Sequence, residues 1–312
     1  MIPLAEIERA RERIAGAALR TPLVRLPDAE VWLKLENLQP VASFKIRGAT
    51  NAIRAAPAEE LAQGVVTASA GNMAQGVAWA AREAGVPATI VVPDYAPQTK
   101  IERIERLGGR VLKVTYEDWW RAIEESRYEG ADGLFVHPVQ DELVMAGNGT
   151  IGLELLEDLP DVDTVLVPYG GGGLVSGIAS AVKAIRPSAR VYACEPETGA
   201  AAAAAFAAGG PTEVEYTPSF VDGAGSRRVL QPMWPRVSEL VDGAFAVSLD
   251  DTADAVRLLA ERIRVIAEGA GALAPAVALS GRAGGGKIAC IVSGGNIDFS
   301  VLARILTGET PK

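Results

Sequence analysis

One lysine stands out for the chemistry that its neighbours could give it. Lys45 lies in the segment Ser43-Phe44-Lys45-Ile46-Arg47-Gly48-Ala49, shortly after the apolar run Val31–Leu35. An ammonium group packed against apolar surface loses hydration, so its pKa falls and the neutral amine can act as a nucleophile or base. A lysine that holds an aldehyde cofactor as a Schiff base needs these properties. The heptapeptide alone is equally compatible with an ordinary surface lysine.

A run of four glycines forms a second candidate site. Gly170–Gly173 stands between the strand-like run Val165–Tyr169 and a helix predicted over Leu174–Ile185. Glycines at a strand-to-helix turn let the backbone approach an anion, with free N–H groups and the helix dipole facing it. The sequence therefore predicts a phosphate cradle rather than a merely flexible turn. The dinucleotide-binding pattern is excluded, because Val175 stands where that pattern needs glycine or alanine.

A second glycine-rich loop, Gly281–Ile288, resembles a nucleotide-binding P-loop but lacks two of its requirements. Ile288 replaces the hydroxyl that would bind magnesium, and the loop leads from a helix into a strand rather than the reverse. We interpret it as a surface turn.

Two further polar loops follow predicted strands. Ser69-Ala70-Gly71-Asn72 precedes a predicted helix, and its hydroxyl, amide and backbone N–H groups suit a carboxylate, although an ordinary helix cap uses the same residue types. Ser293 follows the apolar run Ile288–Val292. It is therefore expected at the carboxyl end of a strand, where open α/β sheets bind ligands.

The elements that must position these residues alternate between short apolar runs and helical patterns. The first series has strands predicted at 65–67, 88–92, 110–114 and 134–136, with helices at 72–84, 99–107 and 118–129 between them. The second has strands at 164–167, 190–194, 245–247 and 288–292, with helices at 174–185, 252–267 and 271–279. Repeated β-α-β units imply parallel sheets with helices on both faces. We expect an α/β fold of two doubly wound parallel-sheet lobes, a small mobile one (58–141) inserted into a larger one (1–57 and 142–312).

Composition narrows the possible partners and compartments. A net charge of −9 without any basic run argues against nucleic acid and anionic membrane as partners. No apolar segment approaches the length of a membrane span, and the N-terminal acids do not fit a signal peptide, so we expect a cytoplasmic protein. Cys194 and Cys290 are predicted to be buried thiols rather than a disulfide. His137 is the only histidine, so we exclude zinc sites and catalytic triads based on histidine.

Together these segments resemble the fold-type II pyridoxal 5′-phosphate enzymes, in the branch of the threonine/serine dehydratases (ammonia-lyases) and serine racemases, which have a tryptophan synthase β-like fold. The resemblance runs through nearly the whole chain and includes the segments 135–138, 146–152, 194–196 and 267–272. Ser-Phe-Lys-x-Arg-Gly-Ala is its most specific motif.

The resemblance implies a role for each candidate residue. Lys45 would carry the cofactor and, once freed, remove the substrate's α-proton as general base. The substrate carboxylate would be bound by Ser69, Ala70, Gly71 and Asn72. The cofactor would be held by Phe44 beside its ring, Asn72 at its ring hydroxyl, Gly170, Gly171, Gly172, Gly173 and Leu174 at its phosphate, Ser293 at its pyridine nitrogen, and Gly223 and Glu268 at its other side and ring edge.

The implied reaction is elimination of water from a β-hydroxy-L-amino acid, with L-threonine and L-serine as first choices, to give a 2-oxo acid and ammonia. Members of the family are commonly homodimers. The alternatives are an amino-acid racemase, a dehydratase of 3-hydroxyaspartate or of a bulkier β-hydroxy amino acid, and a cofactor-binding protein without turnover. Racemases of the branch have a second serine at the position of Ala70. Because alanine lacks that hydroxyl group, the sequence favours elimination over racemisation.

The chain departs from the family pattern at two places. Met73 stands where the family usually has histidine, which leaves the choice of substrate open. Some relatives bind a metal through a glutamate and an aspartate after the Cys-Glu-Pro strand. Glu195 is present here, but Ala201 stands at the aspartate position, so dependence on a divalent cation such as Mg²⁺ or Ca²⁺ is open.

Overall fold

The computed structural model of the protein describes all 312 residues and contains ten strands in two sheets. The strands are β1 (Leu23–Arg25), β2 (Val31–Leu35), β3 (Val65–Ala68), β4 (Ala88–Pro93), β5 (Gly109–Val114), β6 (Leu134–Phe135), β7 (Thr164–Pro168), β8 (Arg190–Pro196), β9 (Gly243–Val247) and β10 (Ile288–Val292).

Thirteen α-helices connect and cover the strands. They are α1 (Leu4–Ile14), α2 (Lys45–Ala55), α3 (Ala58–Leu61), α4 (Asn72–Ala84), α5 (Gln98–Arg106), α6 (Tyr116–Glu125), α7 (Glu142–Asp158), α8 (Gly173–Ile185), α9 (Ala201–Ala208), α10 (Trp234–Leu240), α11 (Leu249–Ile263), α12 (Gly269–Leu279) and α13 (Phe299–Leu306). None of them combines the length and the apolar character needed to cross a bilayer.

The larger sheet has the strand order β1-β2-β10-β7-β8-β9 and is parallel except for β1. One of its two central strands, β10, is buried throughout: Ala289 and Ile291 face one apolar core, whereas Ile288, Cys290 and Val292 face the other. Strands that are covered on both faces have continuous apolar runs, which is why β7, β8 and β10 could be predicted from the sequence, whereas β1 and β2 were not predicted as strands. Cys194 and Cys290 are free and buried, as predicted.

The smaller sheet has the order β5-β4-β3-β6 and is parallel throughout. All of its strands lie in the chain between β2 and β7, so the smaller lobe is inserted into the larger one. The predicted α/β fold with two parallel-sheet lobes is therefore confirmed. The helix α2 packs against both α4 of the smaller lobe and α7 of the larger, which places the start of α2 at the junction of the lobes.

Two predicted helices have wrong bounds, and local backbone chemistry explains the difference. The helix predicted at 118–129 is α6, which begins after Thr115, whose side chain accepts a hydrogen bond from Asp118 N. It ends at Glu125, before Ser126 with φ 54°. The helix predicted at 252–267 is α11, which begins after Ser248 and ends at Ile263, before Arg264 with φ 58°. In each case a hydroxyl cap begins the helix and a left-handed residue ends it.

Candidate active site

A cavity of about 420 Å³ lies between the two lobes, at the carboxyl ends of strands from both sheets. Every residue that the sequence predicted for the site lines this cavity. These residues are Phe44, Lys45, Ser69, Ala70, Gly71, Asn72, Gly170, Gly171, Gly172, Gly173, Leu174, Gly223, Glu268 and Ser293. The fold thus gathers into one place segments that are far apart in the chain.

Lys45 is the first residue of α2 and opens onto the cavity. Its Nζ donates a hydrogen bond to the carbonyl oxygen of Pro138 at 3.1 Å and lies 5.1 Å from the centre of the Phe44 ring. Enclosure by protein removes water from the ammonium and lowers its pKa to about 8, although the negative charge of Glu268 acts in the opposite direction. An amine with this pKa is partly neutral near physiological pH and can act as a nucleophile or base.

A buried ionic network fixes the helix that carries Lys45. Arg47, two residues further along α2, is 1% exposed and donates to Glu36 at 2.8 Å and to Glu154 at 2.7 Å. Lys34 also donates to Glu154, at 2.6 Å. The two cations and two carboxylates join β2, the turn after it, α2 and α7. A buried charge is tolerated only when it is paired in this way, so α2 cannot shift without breaking the network.

The four glycines form a turn from β7 into α8, and two of them, Gly171 and Gly173, have no room for a side chain. A Cβ atom at Gly171 would lie 2.4 Å from Cγ2 of Val139, and one at Gly173 would lie 2.8 Å from the Val139 backbone oxygen. Gly172 has φ 96°, which favours glycine. The turn presents bare backbone at the beginning of α8, where N–H groups lack partners within the helix. This geometry suits a phosphate group.

Asn72 and Glu268 form a hydrogen-bonded pair across the cavity. The Asn72 Nδ2 donates to Glu268 Oε1 at 2.7 Å, and the Asn72 Oδ1 accepts from Asn296 Nδ2 at 2.8 Å. Glu268 is 6% exposed. Burial, together with the charge of Asp222, raises the pKa of its carboxyl to about 7. Both side-chain groups of Asn72 are thereby fixed in orientation. Asn296 was not assigned from the sequence, although it closes the loop that contains Ser293.

The loop before α4 has the form expected of a carboxylate site. Ser69 Oγ accepts a hydrogen bond from Gly71 N at 3.2 Å, and α4 begins at Asn72. The positive end of the helix dipole therefore points into the cavity. Met73 is 2% exposed and packs in the apolar core of the smaller lobe, so the residue that replaces the family's histidine also has a packing role.

Several other cavity residues were not assigned from the sequence. Lys100, in the first turn of α5, forms an ion pair with Asp222 of the larger lobe, and both side chains line the cavity. Tyr95 and Trp119 contribute aromatic surface from the smaller lobe. Asp222 could have been noticed beside Gly223, but Lys100 carries no local signal that distinguishes it from a surface lysine.

Glu195, the candidate metal ligand, and His137, the only histidine, do not line the cavity and have structural roles. The Glu195 carboxylate accepts hydrogen bonds from the backbone N–H groups of Ala202 and Ala203 at 2.9 and 3.0 Å, at the beginning of α9. The structure contains no group of three or more histidine, cysteine, aspartate or glutamate side chains placed to hold a metal ion. His137 is buried, its Nδ1 accepts from Val139 N and Gln140 N, and burial lowers its pKa to about 4.

The donor set of the cavity fits pyridoxal 5′-phosphate. Lys45 offers an amine for an aldehyde, and the glycine turn offers bare backbone for a phosphate. The fixed amide of Asn72 and the hydroxyl of Ser293 suit the polar groups of a pyridine ring. The cavity volume of about 420 Å³ lies within the usual range of small-molecule sites.

Comparison with known proteins gives consistent findings. The model of the family described as "Pyridoxal-phosphate dependent enzyme" matches residues 14–294. The L-threonine ammonia-lyase of Thermotoga maritima is 42% identical over 316 residues, which cover 98% of this chain and 78% of that protein. Maize serine racemase superposes with a TM-score of 0.89 at 36% identity, covering 97% of this chain and 96% of the other. The processed form of threonine deaminase isoform 2 from Solanum lycopersicum gives 0.85 at 33% identity, covering 98% and 95%.

Proposed function

Because the chain belongs to the family of pyridoxal-phosphate dependent enzymes, we propose that it is an ammonia-lyase that eliminates water from L-threonine and L-serine. The observation that carries this proposal is the position of Lys45: its amine has a pKa of about 8 and shares one cavity with the glycine turn and the carboxylate loop. The products are a 2-oxo acid and ammonia.

The chain's own residues would hold the cofactor at its phosphate, its ring hydroxyl and its ring nitrogen. Gly170–Gly173 and Leu174 would bind the phosphate, Asn72 the ring hydroxyl and Ser293 the ring nitrogen. When bound, pyridoxal phosphate supplies an aldehyde for the amino group and a ring that withdraws electrons from Cα. Ser293 offers a neutral hydroxyl to the ring nitrogen, which cannot donate a full proton as a carboxylic acid could. A weaker electron sink favours prompt loss of the β-hydroxyl.

Substrate orientation and proton removal fall to two separate segments. The backbone N–H groups of Ser69–Asn72, at the positive end of α4, would hold the substrate carboxylate. The free amine of Lys45 would take the α-proton at Nζ, where the Pro138 carbonyl oxygen accepts a hydrogen bond and orients the group. General-base catalysis is most efficient when the pKa of the base lies near the working pH. The Lys45 amine, with a pKa of about 8, is close to this condition at physiological pH. Loss of water leaves an enamine, which hydrolyses to the 2-oxo acid and ammonia.

Ala70 bears on the choice between elimination and racemisation. Racemisation requires a group that returns a proton to the opposite face of Cα, and a methyl group cannot do so. Ala70 lines the cavity at the position where the branch's racemases have serine. We therefore favour the lyase, although maize serine racemase is a close structural neighbour.

The test uses protein saturated with pyridoxal phosphate and a panel of β-hydroxy amino acids. With either L-threonine or L-serine as the substrate, the amount of ammonia released should equal the amount of 2-oxo acid formed, both with and without magnesium. Borohydride treatment followed by peptide mapping should label Lys45, and Lys45→Ala should lose both the label and the activity. Absence of ammonia from every substrate would reject the lyase, and D-serine as the main product of L-serine would favour a racemase.

Four further properties belong to this proposal. Residues 58–141 form a small lobe that moves against 1–57 and 142–312, which hydrogen exchange with and without substrate can measure. The protein acts in the cytoplasm, where two free buried thiols are stable. It is a homodimer that requires no divalent cation. Light scattering tests the oligomeric state, and activity after chelation tests the cation.

A further inference from the structure

We propose that the pair formed by Lys100 and Asp222 makes the enzyme selective for amino acids with an uncharged side chain and excludes those with a second carboxylate. This inference rests on the proposed function, because it concerns the side chain of the amino acid bound in the same cavity. It distinguishes threonine and serine from 3-hydroxyaspartate, and it assigns the distinction to two residues.

The pair joins the two lobes across the cavity. Lys100 belongs to α5 of the smaller lobe, and Asp222 precedes Gly223 in the larger lobe. The Lys100 side chain is 26% exposed and that of Asp222 is 54% exposed, while both line the cavity. Each can therefore be reached by a substrate side chain.

The charges of the cavity leave no cation free for a second carboxylate. Only four charged side chains line it: Lys45, Lys100, Asp222 and Glu268. Lys45 is committed to the cofactor and the α-proton, and Lys100 already has a carboxylate partner. A second substrate carboxylate would meet the negative charge of Asp222 as soon as it approached Lys100. Juxtaposed like charges are a common means of rejecting the wrong ligand.

The substrate's own α-carboxylate does not change this balance. The loop Ser69–Asn72 offers it backbone N–H groups and a helix dipole rather than a cationic side chain. The remaining wall of the smaller lobe is uncharged and consists of Met73, Pro93, Tyr95, Ala96, Pro97, Trp119, Pro138 and Val139. The methyl group of threonine is compatible with such a wall, whereas a carboxylate would lose hydration against it without gaining a partner.

The first experiment measures inhibition of the holoenzyme by two amino acids of nearly the same shape. L-Aspartate and L-asparagine lack a β-hydroxyl group and differ in one charge. We expect L-aspartate to inhibit L-threonine deamination at least about tenfold more weakly than L-asparagine. Equal or stronger inhibition by L-aspartate would overturn the inference.

The second experiment changes the pair. Asp222→Asn removes the repelling charge and frees Lys100, so the inhibition ratio should shift about tenfold towards L-aspartate. Adding Lys100→Met to the Asp222→Asn protein should remove the increase in inhibition by L-aspartate. Asp298→Asn is the matched control: Asp298 pairs with Arg103 across the same lobes at 3.7 Å but does not line the cavity, so the ratio should stay unchanged. An unchanged ratio in Asp222→Asn would contradict the assignment.

A comparison of two substrates separates this inference from the proposed function. Ammonia from L-threonine but not from L-threo-3-hydroxyaspartate supports both proposals. Equal turnover of the two leaves the lyase intact and overturns the selectivity. No ammonia from any substrate rejects the lyase, and L-aspartate and L-asparagine binding, measured by the change in cofactor absorbance, then decides the selectivity. If Asp222→Asn does not fold, Lys100→Met must weaken L-aspartate binding relative to L-asparagine, or the inference is wrong.

Discussion

Replacing Lys45 with methionine should abolish activity and at the same time stabilise the cofactor-free protein. The reason is that the fold holds the Lys45 ammonium where it is poorly hydrated. Its pKa falls from an ordinary 10.5 to about 8, chiefly through desolvation. The charged form is thus less stable in the folded protein than in the unfolded chain. Methionine has a similar length and carries no charge.

The size of the effect follows from the pKa. A shift from 10.5 to about 8 corresponds to about 3 kcal/mol of unfolding free energy. Methionine also loses the hydrogen bond to Pro138, which is worth about 1 kcal/mol. We expect a net gain of about 2 kcal/mol below pH 8. Between pH 8 and 10.5 the unfolded chain binds a proton that the folded protein does not, so wild-type stability rises with pH. The advantage of the variant should therefore disappear over that interval.

Urea unfolding of the cofactor-free proteins at about pH 7.5 and at about pH 10 measures both effects. Lys100→Met is the matched control, because it removes a lysine of the same cavity whose ammonium is paired with Asp222. That variant should show no comparable gain. The reasoning is refuted if Lys45→Met is less stable than the wild type at the lower pH, or if its advantage does not shrink as the pH rises.

Three further predictions concern the residues around Lys45. Glu268→Gln should stabilise the cofactor-free protein increasingly from pH 4.5 to about 7, by up to about 3 kcal/mol in urea unfolding, because burial raises the carboxyl pKa to about 7; a constant difference would contradict this. Gly173→Ala should weaken cofactor binding about tenfold in equilibrium dialysis, since its Cβ would lie 2.8 Å from a backbone oxygen, whereas Gly285→Ala in open space should not. Arg47→Met should lower the unfolding free energy by about 3–5 kcal/mol, because it leaves buried carboxylates uncompensated; a loss below about 1 kcal/mol would be inconsistent with the network.

The sequence was most informative about site residues that follow parallel strands. The loops at Ser69, Gly170 and Ser293 each follow a buried strand, and parallel strands bring their carboxyl ends to one edge of a sheet. Gly170 and Ser293 follow β7 and β10, which are neighbours in the larger sheet, so their proximity could be expected, whereas Ser69 follows β3 of the smaller sheet and reaches the same cavity through the way the lobes meet. The pairing of Lys100 with Asp222 could not be expected, because it depends on how the two lobes meet and the residues lie 122 positions apart.

The helix α7, which packs against α2, was not predicted from the sequence. Residues 144–156 of α7 are all buried, so the helix has no polar face and no amphipathic period to detect. Its glycines also weaken its helical propensity. They are needed by packing: a Cβ at Gly147 would lie 2.5 Å from the backbone oxygen of Arg47 in α2. The glycines that make α7 difficult to predict also allow it to pack closely against α2. This contact helps to fix the position of α2, which begins at Lys45.

The place of β10 in the larger sheet has a consequence for biosynthesis. This strand is the last of the ten to leave the ribosome, yet it lies between β2 and β7. Until it emerges, the two earlier strands have no central neighbour, and Ser293 is not yet present to complete the cofactor pocket. The inserted lobe, whose strands are consecutive, can form during translation, whereas the surrounding lobe has to wait. Capture of vitamin B6 phosphate by the nascent protein is therefore expected only after β10 and Ser293 have been synthesised.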